Sequence, residues 1–228
     1  MGKTAQELVK LRADLLGKVA SADFDWYDVK LEYKMQNGTV GNVTVKVCNP
    51  LRKDGFYLPV TAKETFDFAK KFGWLPLTRA VADQAHNQAT QFTYKPQAPD
   101  LLDFEKYTVD TLDKSYGPSY AAHLVSGSHK LWILSKVGKA TNYGFYAQAD
   151  QTHVPNGPRL KGWYVIQTRG GAHNATYWDY SQLLQLMKAD TLNIDGTNYS
   201  LSAAVVAGLE AVWDEGSKLQ ASDLPTPP

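Results

Sequence analysis

YDVKLEYKMQNGTVGNVTVKVC, residues 27–48, alternates apolar and polar side chains on either side of Asn37-Gly38. A period of two buries one face of a pleated strand, and Asn-Gly tolerates the positive φ angles of a tight turn, so Tyr27 to Met35 and Thr39 to Cys48 are predicted to form a hairpin. Helical spacing surrounds it. Thr4-Ala5-Gln6-Glu7 is a capping box opening a helix that carries Leu8, Leu11, Leu15 and Val19 on one side and ends near Ala20. Thr61-Ala62-Lys63-Glu64 opens a second helix through Phe66, Ala69 and Phe72 that stops at Gly73; others are predicted over Leu77 to Ala89 and Leu101 to Tyr116.

Beyond Tyr116 the pattern becomes β-type: Leu131 to Leu134, Tyr143 to Ala147, Trp163 to Thr168 and Tyr177 to Leu186. Asp195-Gly196 suits a second hairpin, and Ser202 is placed to cap a closing helix to about Trp213. The expected fold class is α+β, one mixed domain over residues 1–222 with its helical and hairpin front half packed on a β-rich second half. The Pro-containing connector 94–100 marks a point of possible subdivision, and 223–228 reads as a flexible tail.

A formal charge of +1 over 228 residues provides no field for phosphate backbones or anionic lipid, so neither nucleic acid nor membrane is an expected partner. The single cysteine, Cys48, closes an alternating strand and is expected to be buried. With no apolar leader and no span near twenty apolar residues, the chain as given reads as a cytoplasmic product, or a phage-encoded one released at lysis.

The stretch from Ser126 to Met187 holds three of the five histidines, three of the six tryptophans and only two carboxylates, Asp150 and Asp179. Imidazoles beside hydroxyls and aromatic faces are what a site needs to hold and attack a polar polymer. Three chemistries stay open. His129, His173 and Asp179 would give a zinc ion three ligands and leave a fourth position for water, although no HxxxH or HxH pair is present. Ser181 or Ser128 would be a nucleophile with a histidine base and Asp179 as its orienting carboxylate, without a GxSxG elbow. Tyr143 or His173 would move a proton while Lys130, Arg169 or Asn174 stabilises negative charge, as in a polysaccharide lyase. With no Glu between Glu105 and Glu210, a two-carboxylate glycosidase ranks below these. If Tyr177 onward is a strand, Tyr177, Asp179 and Ser181 share one face and Trp178 the other.

Ser128-His129-Lys130, Tyr143-Gly144-Phe145-Tyr146, Ile166-Gln167, His173 and Asp179-Tyr180-Ser181-Gln182 resemble a family of poorly characterised bacterial and phage-encoded proteins. That family's pattern runs Gly-His-Lys, Tyr-Gly-Trp-His, Ile-Gln, a histidine, then Asp-Tyr-Ser-His-Gly. Leu58-Pro59-Val60-Thr61 and Ala80-Val81-Ala82-Asp83 extend the likeness upstream, so it spans most of residues 55 to 215. Tyr146 and Gln182 stand where the family has histidines, which would break a metal site dependent on either. The resemblance implies a polar set of His129, Lys130, Tyr143, Gln167, His173, Asp179 and Ser181.

The expected function is hydrolysis of a cell-envelope or extracellular polymer, a glycan or peptide, with peptidoglycan or peptide amide bonds as the target. His129 and His173 form the acid–base or ligand pair, Asp179 orients or coordinates, Tyr143 and Lys130 stabilise the oxyanion, and Ser181 is nucleophile or donor. Gln167, Arg169, Asn174, Tyr177 and Trp178 bind substrate. A lyase and a non-catalytic glycan-binding or virion-associated module are the alternatives.

Overall fold

The computed structural model describes residues 2–92, 100–117, 120–138, 140–148, 159–160, 163–170, 173–216 and 218–225. Most of the connector 94–100 lies outside them, as do Asp150, His153, Gly157, Gly162, Gly171 and the last three residues of the tail. The chain is mixed α+β, with several antiparallel sheets and, among the described residues, no closed barrel.

Helix α1, Ala5–Gly17, starts with the predicted capping box: Thr4 Oγ1 accepts from the Glu7 amide and Glu7 Oε2 from the Thr4 amide. The hairpin forms strands β1, Trp26–Lys34, and β2, Val40–Cys48, in register from Trp26 opposite Cys48 to Lys34 opposite Val40. Val29, Leu31, Val43, Val45 and Val47 face the core. The turn is looser than a two-residue one. Met35 and Thr39 still pair, and of the residues between them only Gly38 takes a positive φ, +86°, which is the three-residue hairpin loop with glycine at its left-handed position.

Helix α2, Ala62–Phe72, carries the second capping box and ends at Gly73. Its Glu64 also receives the guanidinium of Arg12, a buried α1 residue whose Nε donates to Pro59 O (2.8 Å) and whose plane lies 4.4 Å from the Trp178 ring centre. One desolvated cation thus fastens α1, the cap of α2 and the segment around residue 178. Helix α3, Arg79–Gln88, seals the edge of β1, because the Gln88 amide accepts from Lys30 N (2.9 Å) and donates to Lys30 O (2.7 Å).

Strands Leu186–Lys188 and Leu75–Pro76 extend the hairpin sheet beyond β2. A second four-stranded sheet runs in the order Arg159–Leu160, Trp163–Gly170, Thr141–Gln148, Lys130–Ile133, all antiparallel. The helix predicted over Leu101 to Tyr116 begins at Phe104 and contains a π-helical stretch, Thr108–Leu112. The last helix, Leu201–Val206, is capped by Ser200 rather than Ser202 and is shorter than predicted. Asp195-Gly196 makes its hairpin with both residues at positive φ.

The strand predicted from Tyr177 to Leu186 is interrupted: Tyr180 and Ser181 form a turn, Gln182 and Leu183 make single bridges to Lys130 and Pro59, and the regular strand is Leu186–Lys188. Asp179 explains the difference: its Oδ1 accepts from the Ser181 amide (2.9 Å), which bends the backbone where a strand would continue. Gly127 (φ +142°) lies so close to the next segment that an added Cβ would stand 2.3 Å from Phe92 O. Gly127→Ala is expected to cost about 2 kcal/mol or more of unfolding free energy in urea titrations; an unchanged midpoint would count against this packing.

Candidate functional site

The residues singled out in the sequence fall into three environments. Asp179 is the centre of the first. Its carboxylate, 4% exposed, accepts from Lys130 Nζ (2.5 Å), Ser181 Oγ (2.6 Å), Ser181 N (2.9 Å) and Tyr177 OH (3.4 Å). The phenol, carboxylate and hydroxyl expected to share a strand face do converge, but through a turn. Lys130 is placed there by its strand, whose backbone also bonds residues 181 and 183. Asp179 has no unused oxygen, and Ser181 commits its hydroxyl hydrogen from a buried position. These are the properties of a locked turn.

His173 and Tyr177 lie over this node with their rings stacked, 6.2 Å between centres and 19° between planes, and His173 meets Trp132 edge-on at 5.8 Å. Tyr177 is exposed, Asn174 is exposed and His173 is half-buried. A Cβ built on Gly170 would lie 3.1 Å from Gln167 Nε2 and 3.4 Å from His173 Nε2, so Gln167 belongs to the same surface. No hydrogen bond from the described residues holds the His173 ring. Trp178 is half-buried and stacks under Arg12.

His129 occupies the second environment, the interior. Its Nδ1 is 2.8 Å from Tyr116 OH and its Nε2 2.7 Å from Gln185 Oε1, at 2% exposure. Because Gln185 Nε2 donates to Cys48 O (2.7 Å), Gln185 Oε1 must accept, which sets the proton of His129 on Nε2. Tyr116 OH in turn accepts from Ser128 N (2.7 Å) and donates to His129 Nδ1. Burial holds the imidazole neutral, with its pKa pushed down to about 4. Both ring nitrogens are occupied, so the expected pairing of His129 with His173 around a substrate or a zinc ion is corrected: desolvation and two strong partners make His129 a structural group. Among the described residues no three His, Cys, Asp or Glu side chains are gathered so as to hold a metal ion. Cys48, buried as expected, has its thiol pushed up to about 12 by burial and accepts from Leu186 N (3.0 Å).

Tyr143 belongs to the third environment, on the α3 side. It donates to Asp83 Oδ1 (2.7 Å), as does Tyr146 (3.2 Å). In an unbroken strand these two tyrosines would face opposite ways; Gly144 (φ +100°) and Phe145 (φ +56°) kink the backbone between them. Burial raises the Asp83 carboxyl to about 6, although both phenols oppose this. His86, stacked on Tyr146 at 3.7 Å, has its pKa lowered to about 3 by burial and holds Ser126 Oγ through Nδ1 (2.8 Å). Tyr143 therefore faces away from His173 and the Asp179 turn. Sequence reading passed over this cluster, although a carboxylate and a histidine three residues apart on the apolar side of a helix were its signal. Arg169 is also elsewhere, 3.2 Å from the buried carboxylate of Glu215.

No protein-family model, no curated protein and no solved structure matches the chain.

Proposed function

We propose that this protein binds a polar polymer, a glycan, through the surface formed by His173, Tyr177, Gln167 and Asn174. The observation that carries this reading is the stacked, solvent-facing His173–Tyr177 pair seated on the saturated Asp179 turn. A sugar ring needs a flat π face for its C–H groups and fixed amides and hydroxyls for its oxygens. Gln167 and Asn174 supply the amides, while the Lys130–Asp179–Ser181 bonds keep the platform rigid and so reduce the ordering cost of binding.

Titration calorimetry with soluble cell-wall glycan oligomers tests the reading. Tyr177→Ala is expected to weaken binding about tenfold, equivalent to about 1.4 kcal/mol, with an unchanged unfolding midpoint. Equal affinity of variant and parent would reject this face.

The hydrolase is the second reading, favoured by the His173 ring, which takes no hydrogen bond from the described residues and is half-buried beside Gln167. His173 would then carry the proton alone. Loss of turbidity from purified cell walls, abolished by His173→Ala, would support it, whereas an unsaturated product absorbing in the ultraviolet would indicate a lyase.

A further inference from the structure

The hairpin sheet has an opening of its own, on the face where Asp28, Thr44 and Lys46 are exposed. The strand Leu186–Lys188 follows β2 only as far as Lys188, which stands opposite Lys46. The backbone then bends at Asp190, while β2 continues through Thr44 to Val40. Between the parting segments lies a cleft of about 330 Å³, lined by Asp28, Thr44, Lys46, Lys188, Asp190 and Thr191. That is room for a small molecule.

The charges around this cleft are unevenly matched. Two lysines directly opposite on neighbouring strands repel each other. Asp28, opposite Lys46 on β1, takes the Lys46 ammonium (2.8 Å). Lys188 has aromatic partners instead: its ammonium lies 4.0 Å from the Trp26 ring centre and 5.1 Å from that of Trp74, and no carboxylate of the described residues pairs with it. An indole face holds a cation in place but does not neutralise it. Asp190 takes no hydrogen bond or ion pair from the described residues. One cation and one anion thus face a shared hollow without meeting, two residues apart in the chain and so with at most about 7 Å between their Cα atoms.

We infer that this cleft binds a free α-amino acid, its carboxylate held by Lys188 and Lys46 and its ammonium by Asp190. A simple anion would satisfy the lysines but meet Asp28 and Asp190 as like charges. A peptide carries its two end charges on different residues, whereas an amino acid carries both on one carbon and so answers an unpaired cation and an unpaired anion that are close together. Thr44 and Thr191 add hydroxyls that donate to the carboxylate or accept from the ligand. The site shares no residue with the His173 face, and it stands whether or not that face binds a glycan.

Calorimetry on the full chain tests the inference with L-serine, whose side chain is small enough to meet no obstruction in the cleft, and with two analogues: N-acetyl-L-serine, which lacks the ammonium, and L-serine methyl ester, which lacks the carboxylate. The parent protein is expected to bind L-serine about tenfold more tightly than either analogue, since each lost contact is a hydrogen bond to a charged group. Lys188→Met, which keeps an unbranched stem against the indoles, is expected to weaken L-serine by a similar factor. Asp190→Asn, at an exposed position, is expected to leave the unfolding midpoint unchanged and to bind L-serine no better than N-acetyl-L-serine. Equal affinity of the parent protein for L-serine and N-acetyl-L-serine would overturn the amino-acid site in favour of a plain anion site. Absence of L-serine binding, or full binding by Lys188→Met, would overturn it outright.

Discussion

Replacing His129 by phenylalanine is expected to lower the free energy of unfolding at neutral pH by about 3 kcal/mol, and to weaken the acid sensitivity of the fold. The side chain is the middle link in a buried line of bonds from Ser128 N through Tyr116 OH and the imidazole to the Gln185 amide and Cys48 O. Phenylalanine fills the space but leaves the hydroxyl hydrogen of Tyr116 and Oε1 of Gln185 without the imidazole, at about 1–3 kcal/mol for each buried group. The line joins the end of β2, the entry to Leu186–Lys188 and the helix ending at Tyr116, so the loss is shared by three elements. Urea titration at pH 7 measures it, and a change below about 1 kcal/mol would show that the network is dispensable.

The acid effect follows from the imidazole staying neutral in the fold. An unfolded histidine binds its proton near pH 6.5, whereas His129 does so only at about 4. Between those values the unfolded chain holds the extra proton, so stability is fully present above pH 6.5 and falls as the pH drops toward 4. This amounts to about 3 kcal/mol for the group. His86, lowered to about 3, acts in the same direction. Asp83 opposes them: raised to about 6, it is protonated first in the folded chain, and its contribution is present at low pH and lost as the pH rises through 6. Two histidines outweigh one carboxyl, so the protein is expected to be less stable at pH 4.5 than at pH 7. His129→Phe should reduce that slope by about one proton.

The second large effect is at the Asp179 turn. Lys130→Met is expected to cost about 3–5 kcal/mol, because it strands a carboxylate that is 4% exposed. Asp179→Asn costs less, since the Lys130 side chain is 17% exposed and its ammonium can turn toward water. The double variant should be milder than the sum of the two, by about 1–3 kcal/mol of coupling. Strict additivity in denaturant titrations would mean that the pair is not the anchor of the turn.

The hairpin was legible because Val29, Leu31, Val43, Val45 and Val47 repeat every second residue next to a turn pair, and the first helices because their capping boxes state where they begin. The candidate site was legible in part. Lys130, Asp179, Ser181, Tyr177, Gln167 and His173 meet in one neighbourhood, but local pattern could not assign His129 or Tyr143 to a side. His129 precedes a strand in which alternation alone would leave its direction open, and only the partners Tyr116 and Gln185, distant in sequence, settle it. Tyr143 and Tyr146 share a side because of a kink, which no periodic pattern announces.

That kink also sets a tolerance limit for the chain. Removing Gly144 or Phe145 would leave two steps between the tyrosines, the spacing at which a plain pleat already puts both on one side, so the pair would still face Asp83. What such a deletion breaks is alignment with the next strand: Tyr146 stands opposite Val165 and Gly144 opposite Gln167, and every partner beyond the cut would slip by one place.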